Sequence, residues 1–544
     1  MALPGIGTVT KTSFPPLPPL SFCPLHRSSF AAYEALAKPD FLSDNGHRDQ
    51  ASSSPSTSPS NVKGTECIRR SLWKKMSSKE LGIKKSMISK QTRSVLSELR
   101  RRGYDVYLVG GCVRDLIMRR VPKDFDIITT ANLSEVKKAF SRCDIVGKRF
   151  PICHVHINDY IVEVSSFSTS GKNSSNHVRY ISQRPPDCDE LDCMRWRNCL
   201  GRDFTINGLM FNPYTRLVYD YMGGMEDIKK AKVRTVIPAQ TSFREDCARI
   251  LRAIRIAARL DFRFNRETAQ CIKDFASSVV RLDKGRILME MNYMLAYGSA
   301  EASMRLLWKF GLLELLLPIQ AAYFVSKGFR RRDSGTNMLL VLLSNLDRFL
   351  APDRPCHSSL WVAILAFHEA LSRVPRDPLV VATFSLAVHN GGDILKAINI
   401  SRGIKSSYNQ NFSEILELLI WDEDERLMNE VLDFAGSVIS ALGSMTDEYF
   451  ISRSMAQYPQ APFSDLVFIP LQLYLRVCRI FECITSRDSE GGFVPKQGSK
   501  INYHSLAHGG LSELRHVFAR IVFDTVYPPN AEELDTKSSS CSGS

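Results

Sequence analysis

Long apolar runs are missing from this chain of 544 residues. A helix that crosses a membrane needs about 18 or more consecutive apolar residues. The strongest candidate, residues 310–319, is interrupted by Glu314 and Pro318. We therefore expect a soluble protein with no membrane partner, in which this segment is a buried helix.

Acidic side chains are missing from residues 1–33, where Lys11 and Arg27 are the only charged residues. Serine, proline and asparagine stay frequent as far as residue 63, without the periodicity of a helix or a strand. That composition is typical of an organellar transit peptide, with a plain disordered tail as the alternative. We assign residues 1–75 to a transit peptide and disordered linker, and we expect a plastid or mitochondrial location.

Metal-binding cysteine spacing is also missing, because the 14 cysteines include no Cys-x-x-Cys pair. Cys188, Cys193 and Cys199 form the one local cluster of three, and their spacing does not favour zinc. Most cysteines scattered in this way in an organelle interior are expected to be reduced.

Positive charge is what the chain does have, with a formal net charge of +14. An excess of this kind attracts polyanions such as nucleic acids. The hydrophobic content of 44% is ordinary for a globular protein. A chain of this length has room for about two to four domains.

The most informative stretch is Tyr107–Thr129. Gly110 and Gly111 follow a short apolar run, and a predicted helix carrying Arg114 comes next. Glycine has no Cβ, so backbone N–H groups beside it can approach a phosphate. An arginine close by can grip the same phosphate. This part of the sequence indicates a phosphate-binding turn.

Two acids follow on a predicted strand. Asp124 and Asp126 are two residues apart, so in a strand they project from one face, while Phe125 and Ile127 can enter a core. Carboxylates held side by side repel each other unless a cation neutralises them. A hard divalent cation with oxygen ligands, Mg²⁺ above all, meets that need.

A third acid strengthens this interpretation. Residues 154–158 and 160–165 predict a hairpin, and Glu163 stands between Val162 and Val164 in its second strand. An isolated carboxylate in an apolar strand is costly, whereas a metal ligand there is not. An Asp-x-Asp pair alone is more often a solvated turn, so the prediction depends on the combination of motifs.

The sequence resembles the class II nucleotidyltransferases, which comprise CCA-adding enzymes and bacterial-type poly(A) polymerases. The resemblance lies in LVGGCVRDLIMRRVPKDFDIITTA, GRDFTINGLMFNP, YDYMGGMEDIKKAKVRTV and SFREDCARILRAIRIAARLDF, and it covers roughly residues 89–319. It implies an enzyme that uses Mg²⁺, or Mn²⁺ as an alternative, and acts on RNA 3′ ends with ATP as a substrate. Protein partners stay unknown.

The resemblance also assigns roles to residues. It makes Asp124, Asp126 and Glu163 the catalytic carboxylates and metal ligands. It assigns nucleotide binding to Gly110, Gly111, Arg114, Arg202, Asp203, Asn207, Glu245, Asp246 and Arg249. In Glu245, Asp246 and Arg249, the family's EDxxR element, side chains read the base in place of a template.

Residue spacing adds a local prediction around this element. Ser242-x-x-Glu245 has the form of a capping box, so a helix is expected to begin there. Asp246 and Arg249 would then share one face of that helix. Arg252, Arg255 and Arg259 extend the stripe, and either phosphate contacts or structural ion pairs explain them equally well.

Two positions depart from the family pattern. Gly201 replaces the first arginine of the usual RRDF, and Cys247 replaces the proline that is common after the acid pair. Losing that arginine weakens nucleotide binding, and losing the proline removes a preset helix start. Neither departure touches a predicted metal ligand, so we expect an active enzyme.

The branch of the family is predicted from Lys148, Arg149 and Phe150, which resemble the pattern of the poly(A) polymerase branch. Together with the N-terminal composition, this predicts a plant-type organellar member. We expect repeated addition of AMP to RNA 3′ ends, with CCA addition to tRNA as the alternative. A third hypothesis is an inactive RNA-binding protein with the same fold. We predict that RNA contacts Lys148, Arg149, Arg252 and Arg255.

The expected fold is an α/β catalytic head with a mixed sheet, followed by an all-α neck, body and tail. Apolar periodicity and breaks in the sequence give the boundaries. We predict a head at 86–233, a neck at 234–300, a body and tail at 301–529, and a disordered C-terminus at 530–544.

Overall fold

The computed structural model describes residues 73–147, 151–158, 160–169, 188–459, 466–485 and 493–528. A mixed sheet is followed along the chain by a helical region, which confirms the expected fold class. Within these residues no helix combines the length and the apolar character needed to cross a membrane.

The strands are β1 (Lys74–Ser77), β2 (Val106–Val109), β3 (Asp126–Thr129), β4 (Cys143–Val146), β5 (Ile152–Ile157), β6 (Tyr160–Ser166), β7 (Leu209–Asn212), β8 (Leu217–Asp220), β9 (Lys232–Val233) and β10 (Arg263–Phe264). Eight of them form one sheet in the order β1-β8-β7-β2-β3-β6-β5-β4. The β3–β6 pair is parallel and the other pairs of this sheet are antiparallel. β9 and β10 form a separate parallel pair.

The helices of the head are α1 (Lys90–Arg101), α2 (Gly111–Ile117), α3 (Leu133–Ala139), α4 (Glu190–Leu200) and α5 (Gly224–Lys229). The next helices are α6 (Ala239–Glu245), α7 (Ala248–Leu260), α8 (Arg266–Asp274), α9 (Lys284–Leu295), α10 (Ala300–Lys309), α11 (Leu313–Leu316) and α12 (Pro318–Ser326). The last are α13 (Met338–Phe349), α14 (Ser358–Arg373), α15 (Pro378–Asn390), α16 (Ile394–Ser401), α17 (Asp424–Ser444), α18 (Glu448–Met455), α19 (Leu471–Thr485), α20 (Tyr503–His508) and α21 (Leu511–Val526).

Helices cover both faces of the sheet, as alternation along the central strand β2 shows. Val106 and Leu108 pack into a cluster that α1, α2 and α3 complete. Tyr107 and Val109 pack on the other face, against Trp196 of α4. Because successive side chains of a strand point to opposite faces, a strand buried on both sides is apolar throughout.

The sheet begins earlier in the chain than predicted. β1 pairs with β8 from Lys74 to Ser77, although the sequence placed the start of the head at residue 86. Lys75 forms an ion pair with Asp192 at 2.8 Å, which fixes the strand to α4. A short, polar edge strand carries little of the apolar alternation that marks a strand in a sequence.

The predicted hairpin is confirmed, and α1 has local capping signals at both of its ends. The Ser89 side chain accepts a hydrogen bond from the Thr92 amide and caps α1, and Gly103 follows the helix with φ of +90°. β5 and β6 are joined through Asn158, whose φ of 54° is left-handed. Asparagine tolerates that conformation better than most residues.

The helical region shares one apolar cluster, which runs from Phe204 to Tyr527. The cluster includes buried residues from α7 through to α21. The predicted division of this region at residues 300 and 301 stays a prediction. The predicted segment 530–544 and most of the predicted segment 1–75 lie outside the described residues.

Candidate active site

The candidate site lies where β2, β3 and β6 run side by side. Asp126, the first residue of β3, pairs in register with Val109 of β2 and with Glu163 of β6. Gly110 follows Val109 directly. Residues directly opposite each other on neighbouring strands point to the same face. The register therefore brings the glycine turn and two predicted carboxylates together.

Gly110 is confined by two functional side chains. Its φ is +81°, and a Cβ built there would lie 3.3 Å from Arg202 Nη1 and 3.3 Å from Asp126 Oδ2. An L-residue would be strained in this conformation and crowded by both groups. Glycine at this position thus lets Arg202 and Asp126 approach the backbone of the turn.

Asp126 lies among like charges. Burial raises the pKa of its carboxyl to about 6, Arg202 opposes that shift, and the Asp124 and Glu163 carboxylates add to it. An acid whose ionised form is disfavoured in this way gains from a nearby cation. The donors are all carboxylate oxygens, which is the set that hard divalent cations prefer.

Two details of the predicted carboxylates were wrong. Asp124 precedes β3, which begins at Asp126, so the two acids do not both lie in the strand. Glu163 is not enclosed by apolar neighbours: its side chain is 54% exposed, with Oε1 3.8 Å from His154 Nε2. Because β6 has one open face here, the cost of burying Glu163 is no argument for a metal ligand. Its register with Asp126 replaces that argument.

The metal assignment stays a prediction. Within the described residues no three His, Cys, Asp or Glu side chains converge closely enough to hold a metal ion. Asp124 and Glu163 both lie close enough to Asp126 to raise the pKa of its carboxyl.

Arg114 is buried and engaged with protein groups. Its Nε and Nη2 donate to Asp115 Oδ1 at 2.9 and 2.7 Å, and Nη1 donates to Asn207 Oδ1 at 2.6 Å. Asn207 Nδ2 in turn donates to Asp203 Oδ1 at 3.0 Å. The structure therefore brings Arg114, Asn207 and Asp203 together as a hydrogen-bonded network. A Cβ on Gly111 would lie 3.4 Å from Arg114 Nη2.

The network continues into helix α7. Arg252 Nη2 lies 3.0 Å from Asp203 Oδ2. Burial alone would raise the pKa of Asp203, but Arg252, Asn207 and the Phe204 amide hold it below its usual value. The negative charge of Asp203 is thus stabilised across the boundary between the sheet and the helices.

The arginine stripe of α7 pairs with acids. Beyond Arg252, Arg255 Nε lies 3.0 Å from Glu290 Oε2, and Arg259 Nη2 lies 4.0 Å from Asp115 Oδ2. The sequence left phosphate contacts and structural ion pairs open as explanations of this stripe, and the structure contains the ion pairs. The predicted RNA contacts of Arg252 and Arg255 stay predictions.

The predicted helix start at Ser242 was wrong. Ser242 lies inside α6, which begins at Ala239, and its hydroxyl accepts from Arg249 Nη1 at 2.9 Å. The helical conformation is interrupted at Asp246, which has an extended φ of −150°, and α7 begins at Ala248. Asp246 and Arg249 therefore do not share one continuous helix.

Asp246 instead stabilises the start of α7. Its Oδ1 accepts from the Ala248 amide at 3.0 Å, so the acid satisfies a donor that the helix leaves unpaired. Arg249 Nη1 also lies 3.3 Å from Glu245 Oε2. Glu245, Asp246 and Arg249 are thus brought together at a bend between two helices.

Arg202 differs from the other arginines of the site. Gly201, the first departure from the family pattern, ends α4 with helical backbone angles, and Arg202 follows it. In the part of the chain that the structure describes, the Arg202 guanidinium makes no hydrogen bond or ion pair. It is a cation with free donors beside Asp126 and Gly110.

Asp115 and Glu290 are charged partners that the sequence reasoning missed. Asp115 anchors Arg114, and Glu290 is buried between Arg255 and Arg286. Spacing could have found the second, because Arg286 and Glu290 are four residues apart on α9. The first has no comparable signal.

Lys148 and Arg149, predicted to contact RNA, lie outside the described residues. The cysteine cluster differs from expectation, because Cys188 and Cys193 form a disulfide at the start of α4. Cys199 is separate, and its thiol donates to the Gly208 carbonyl at 3.0 Å. No three-cysteine site is formed by this cluster.

Two protein-family models match parts of this chain. The family model of the poly A polymerase head domain matches residues 106–234. A second model, described as the probable RNA and SrmB-binding site of polymerase A, matches residues 261–324.

Several curated proteins are similar over a larger part of the chain. Poly(A) polymerase I of Haemophilus influenzae is 32% identical over 48% of this chain and 58% of its own length. Poly(A) polymerase I of Escherichia coli O6:H1 is 31% identical over 56% of this chain and 70% of its own length. A CCA-adding enzyme of Staphylococcus aureus is 30% identical over 39% of this chain and 51% of its own length.

A solved structure, the Bacillus stearothermophilus CCA-adding enzyme in complex with CTP, matches 83% of this chain and 99% of its own at 20% identity, with a TM-score of 0.41. The chain belongs to the class II nucleotidyltransferase family of poly(A) polymerases and CCA-adding enzymes. It spans about 58% of the length of the Haemophilus relative.

Proposed function

We propose that this chain adds AMP from ATP to RNA 3′ ends without a template. The observation that carries the proposal is the register of Asp126 with Glu163 beside Gly110 and Arg202. This arrangement combines carboxylates, a glycine turn and an arginine with free donors. Those are the parts that transfer of a nucleotidyl group to a hydroxyl requires.

Asp124, Asp126 and Glu163 would hold Mg²⁺ or Mn²⁺. When bound, such ions lower the pKa of an attacking hydroxyl and neutralise the charge of a leaving pyrophosphate. The protein itself contributes position and charge. Arg202 binds the triphosphate, and Gly110 admits it to the turn.

The glycine turn is supported by the hydrogen-bonded network of Arg114, Asn207 and Asp203. Their hydrogen bonds hold Gly111 and α2 in place, and Arg252 fixes the same network to α7. A site held rigidly in this way keeps the triphosphate in line with the RNA end, which supplies much of the rate in such reactions.

Base selection is assigned to the bend between α6 and α7. Within the described residues, the hydrogen bonds of the Arg249 guanidinium run through Nη1. Its other donors are available to ring acceptors of a base, and the second oxygen of Asp246 is available to an exocyclic amine. Glu245 orients Arg249.

CCA addition to tRNA is the alternative, and the Staphylococcus aureus relative supports it. Repeated AMP addition is favoured because the relatives named poly(A) polymerase I match more of this chain. An inactive RNA-binding scaffold is the third reading, and the presence of all three acids argues against it.

The deciding experiment supplies the full chain with Mg²⁺ and two RNAs, an oligo(A) primer and a tRNA that ends before CCA. ATP and CTP are given singly and together. We expect ATP alone to give long ladders on oligo(A) with little use of CTP. Three-nucleotide extension of the tRNA that requires both triphosphates would install CCA addition instead. No transfer in any arm would favour the inactive scaffold.

Targeting to a plastid or mitochondrion is also proposed, from the composition of residues 1–72. A fluorescent protein fused behind these residues should enter the organelle. The fusion ends before Trp73 because its ring contacts Tyr221 at 4.9 Å and belongs to the head. A fusion that stays in the cytosol would contradict the targeting proposal.

A further inference from the structure

The loop that carries Asp124 is held through its side chains: Pro122 is buried and Phe125 packs against the apolar cluster of the sheet. Residues 121–125 form no helix or strand, and within the described residues their backbone groups make no hydrogen bond outside the strand pairing of Asp126. Val121 is 78% exposed. A loop of this kind samples several conformations unless side chains fix it.

One side chain of the loop contacts two aromatic rings. Lys123 Nζ lies 4.4 Å from the ring centre of Tyr293 and 5.0 Å from that of Tyr297. The two rings are 5.2 Å apart, at the C-terminal end of α9. An ammonium group within about 6 Å of an aromatic ring centre is attracted by the ring's negative face.

The same rings are connected to the ion-pair network. The Arg255 guanidinium lies 5.0 Å from the ring centre of Tyr293, and Arg255 pairs with Glu290, one turn earlier on α9. Tyr293 is therefore held between a cation of α7 and a cation of the Asp124 loop. Tyr297, which follows the end of α9, contacts Lys123 as well.

We propose that Tyr293 and Tyr297 are positioning residues that hold Lys123, and through it the adjacent Asp124, in the conformation needed for nucleotide transfer. The contact joins the helical region directly to the predicted catalytic loop. It acts on the rate of the transfer step rather than on triphosphate binding, because Arg202 and Gly110 lie elsewhere in the site. The inference rests on the proposed function of Asp124.

The test compares Tyr293→Leu and Tyr297→Leu with Tyr293→Phe, which keeps the ring. Each leucine variant should lower kcat about 5-fold, the size expected for loss of a partly exposed cation–π contact. KM for ATP should stay within about twofold. Tyr293→Phe should retain wild-type kcat, because a phenyl ring still attracts the ammonium group.

Lys123→Met removes the cation from an exposed position and leaves α9 unchanged. It should lower kcat to the same extent, and combining it with Tyr293→Leu should add little further loss. A merely structural role of Tyr293 would instead give additive losses and a lower melting temperature that tracks the loss of rate.

Tyr503→Leu is the matched control, since Arg354 lies 5.2 Å from the Tyr503 ring centre in the helical region. It should leave kcat unchanged. Full kcat in Tyr293→Leu and Lys123→Met, with an active wild-type enzyme, would overturn this proposal alone. A wild-type protein without transfer activity would instead overturn the proposed function.

Discussion

The start of β3 and the arginine-bearing side of α7 both concentrate charge, but the charges are balanced differently in the two places. On α7, Arg252, Arg255 and Arg259 each lie within ion-pair distance of an acid. At β3, burial raises the pKa of the Asp126 carboxyl, and the nearby Asp124 and Glu163 carboxylates raise it further. The α7 cluster is neutralised by protein acids, whereas the Asp126 cluster is only partly neutralised by protein cations.

The comparison between the two clusters shows that a run of charges in a sequence does not by itself predict whether those charges are neutralised within the protein. A stripe of arginines on an amphipathic helix suggests a surface for phosphates, yet here long-range acids supply the partners. Asp124 and Asp126 look like a solvated turn in the sequence. In the structure, Arg202 and Arg252 only partly offset the effect of burial and of the neighbouring carboxylates on the pKa of Asp126. Arg202 differs from the arginines of α7 because its donors are free.

Removing a carboxylate from the crowded cluster should have the largest effect. Asp126→Asn should lower AMP transfer by about a thousandfold or more, since it removes a predicted metal ligand next to the reacting groups. RNA affinity should be unchanged. Single-turnover transfer with Mg²⁺, together with filter binding of RNA, measures both quantities.

Melting temperatures distinguish the loss of a metal ligand in Asp126→Asn from misfolding of the variant. The pKa of Asp126 is raised to about 6, so its ionisation destabilises the folded state, and the penalty grows as pH rises from about 4 to 6. In metal-free buffer Asp126→Asn should therefore melt higher than the wild type at pH 8, with the difference vanishing near pH 4. Substantial residual turnover in a well-folded variant would remove Asp126 from the metal site.

Disrupting the ion pairs of the α7 arginines should mainly lower stability, whereas Asp126→Asn should mainly lower activity. Glu290→Ala leaves Arg255 and Arg286 without their buried partner, and loss of one member of a buried pair costs about 3 kcal/mol. The free energy of unfolding, measured by urea denaturation, should fall by that amount. Transfer at low temperature should fall far less than in Asp126→Asn. Glu290→Gln is the control, because it keeps the shape of the side chain and removes its charge. An unchanged unfolding curve for Glu290→Ala would show that the ion pairs of Glu290 with Arg255 and Arg286 are not stabilising.

Local features of the fold could be predicted from the sequence. The cap at Ser89, the stop at Gly103 and the hairpin at Asn158 depend on a few neighbouring residues. The same holds for the glycine turn, where a positive φ at Gly110 leaves little choice of residue. In each case the chemistry that fixes the backbone lies within one turn of the chain.

Long-range features could not be predicted in this way. The Ser242 motif has the right letters for a helix cap, but packing places Ser242 inside α6 and leaves the break at Asp246. Nothing in the spacing of Lys75 and Asp192 announces the ion pair that fixes β1. The exposure of Glu163 depends on what covers β6, which alternation in a strand does not specify.

Arg202 offers a smaller test of the same comparison. Arg202→Ala should raise KM for ATP about 10- to 100-fold, the range expected for losing charge-assisted hydrogen bonds to a triphosphate. The melting temperature should hardly change, because no ion pair of the described residues depends on this guanidinium. Arg252→Ala is the matched variant, and it should lower stability more and KM less. Equal loss of stability in both would mean that Arg202 is also a structural cation.

Base choice is expected to give the smallest effect, and Arg249 is the residue with which to test it. Arg249 is partly neutralised by Glu245, yet it keeps donors that hydrogen-bond no described residue. Arg249→Lys retains the charge but loses the fork that can address two acceptors at once. We expect the preference for ATP over CTP to fall about tenfold, within the range of one bidentate base contact. Glu245→Gln should lower that preference less, since it disturbs only the orientation of Arg249. If both variants keep their preference while the rate falls, the bend between α6 and α7 is structural and the base is selected elsewhere.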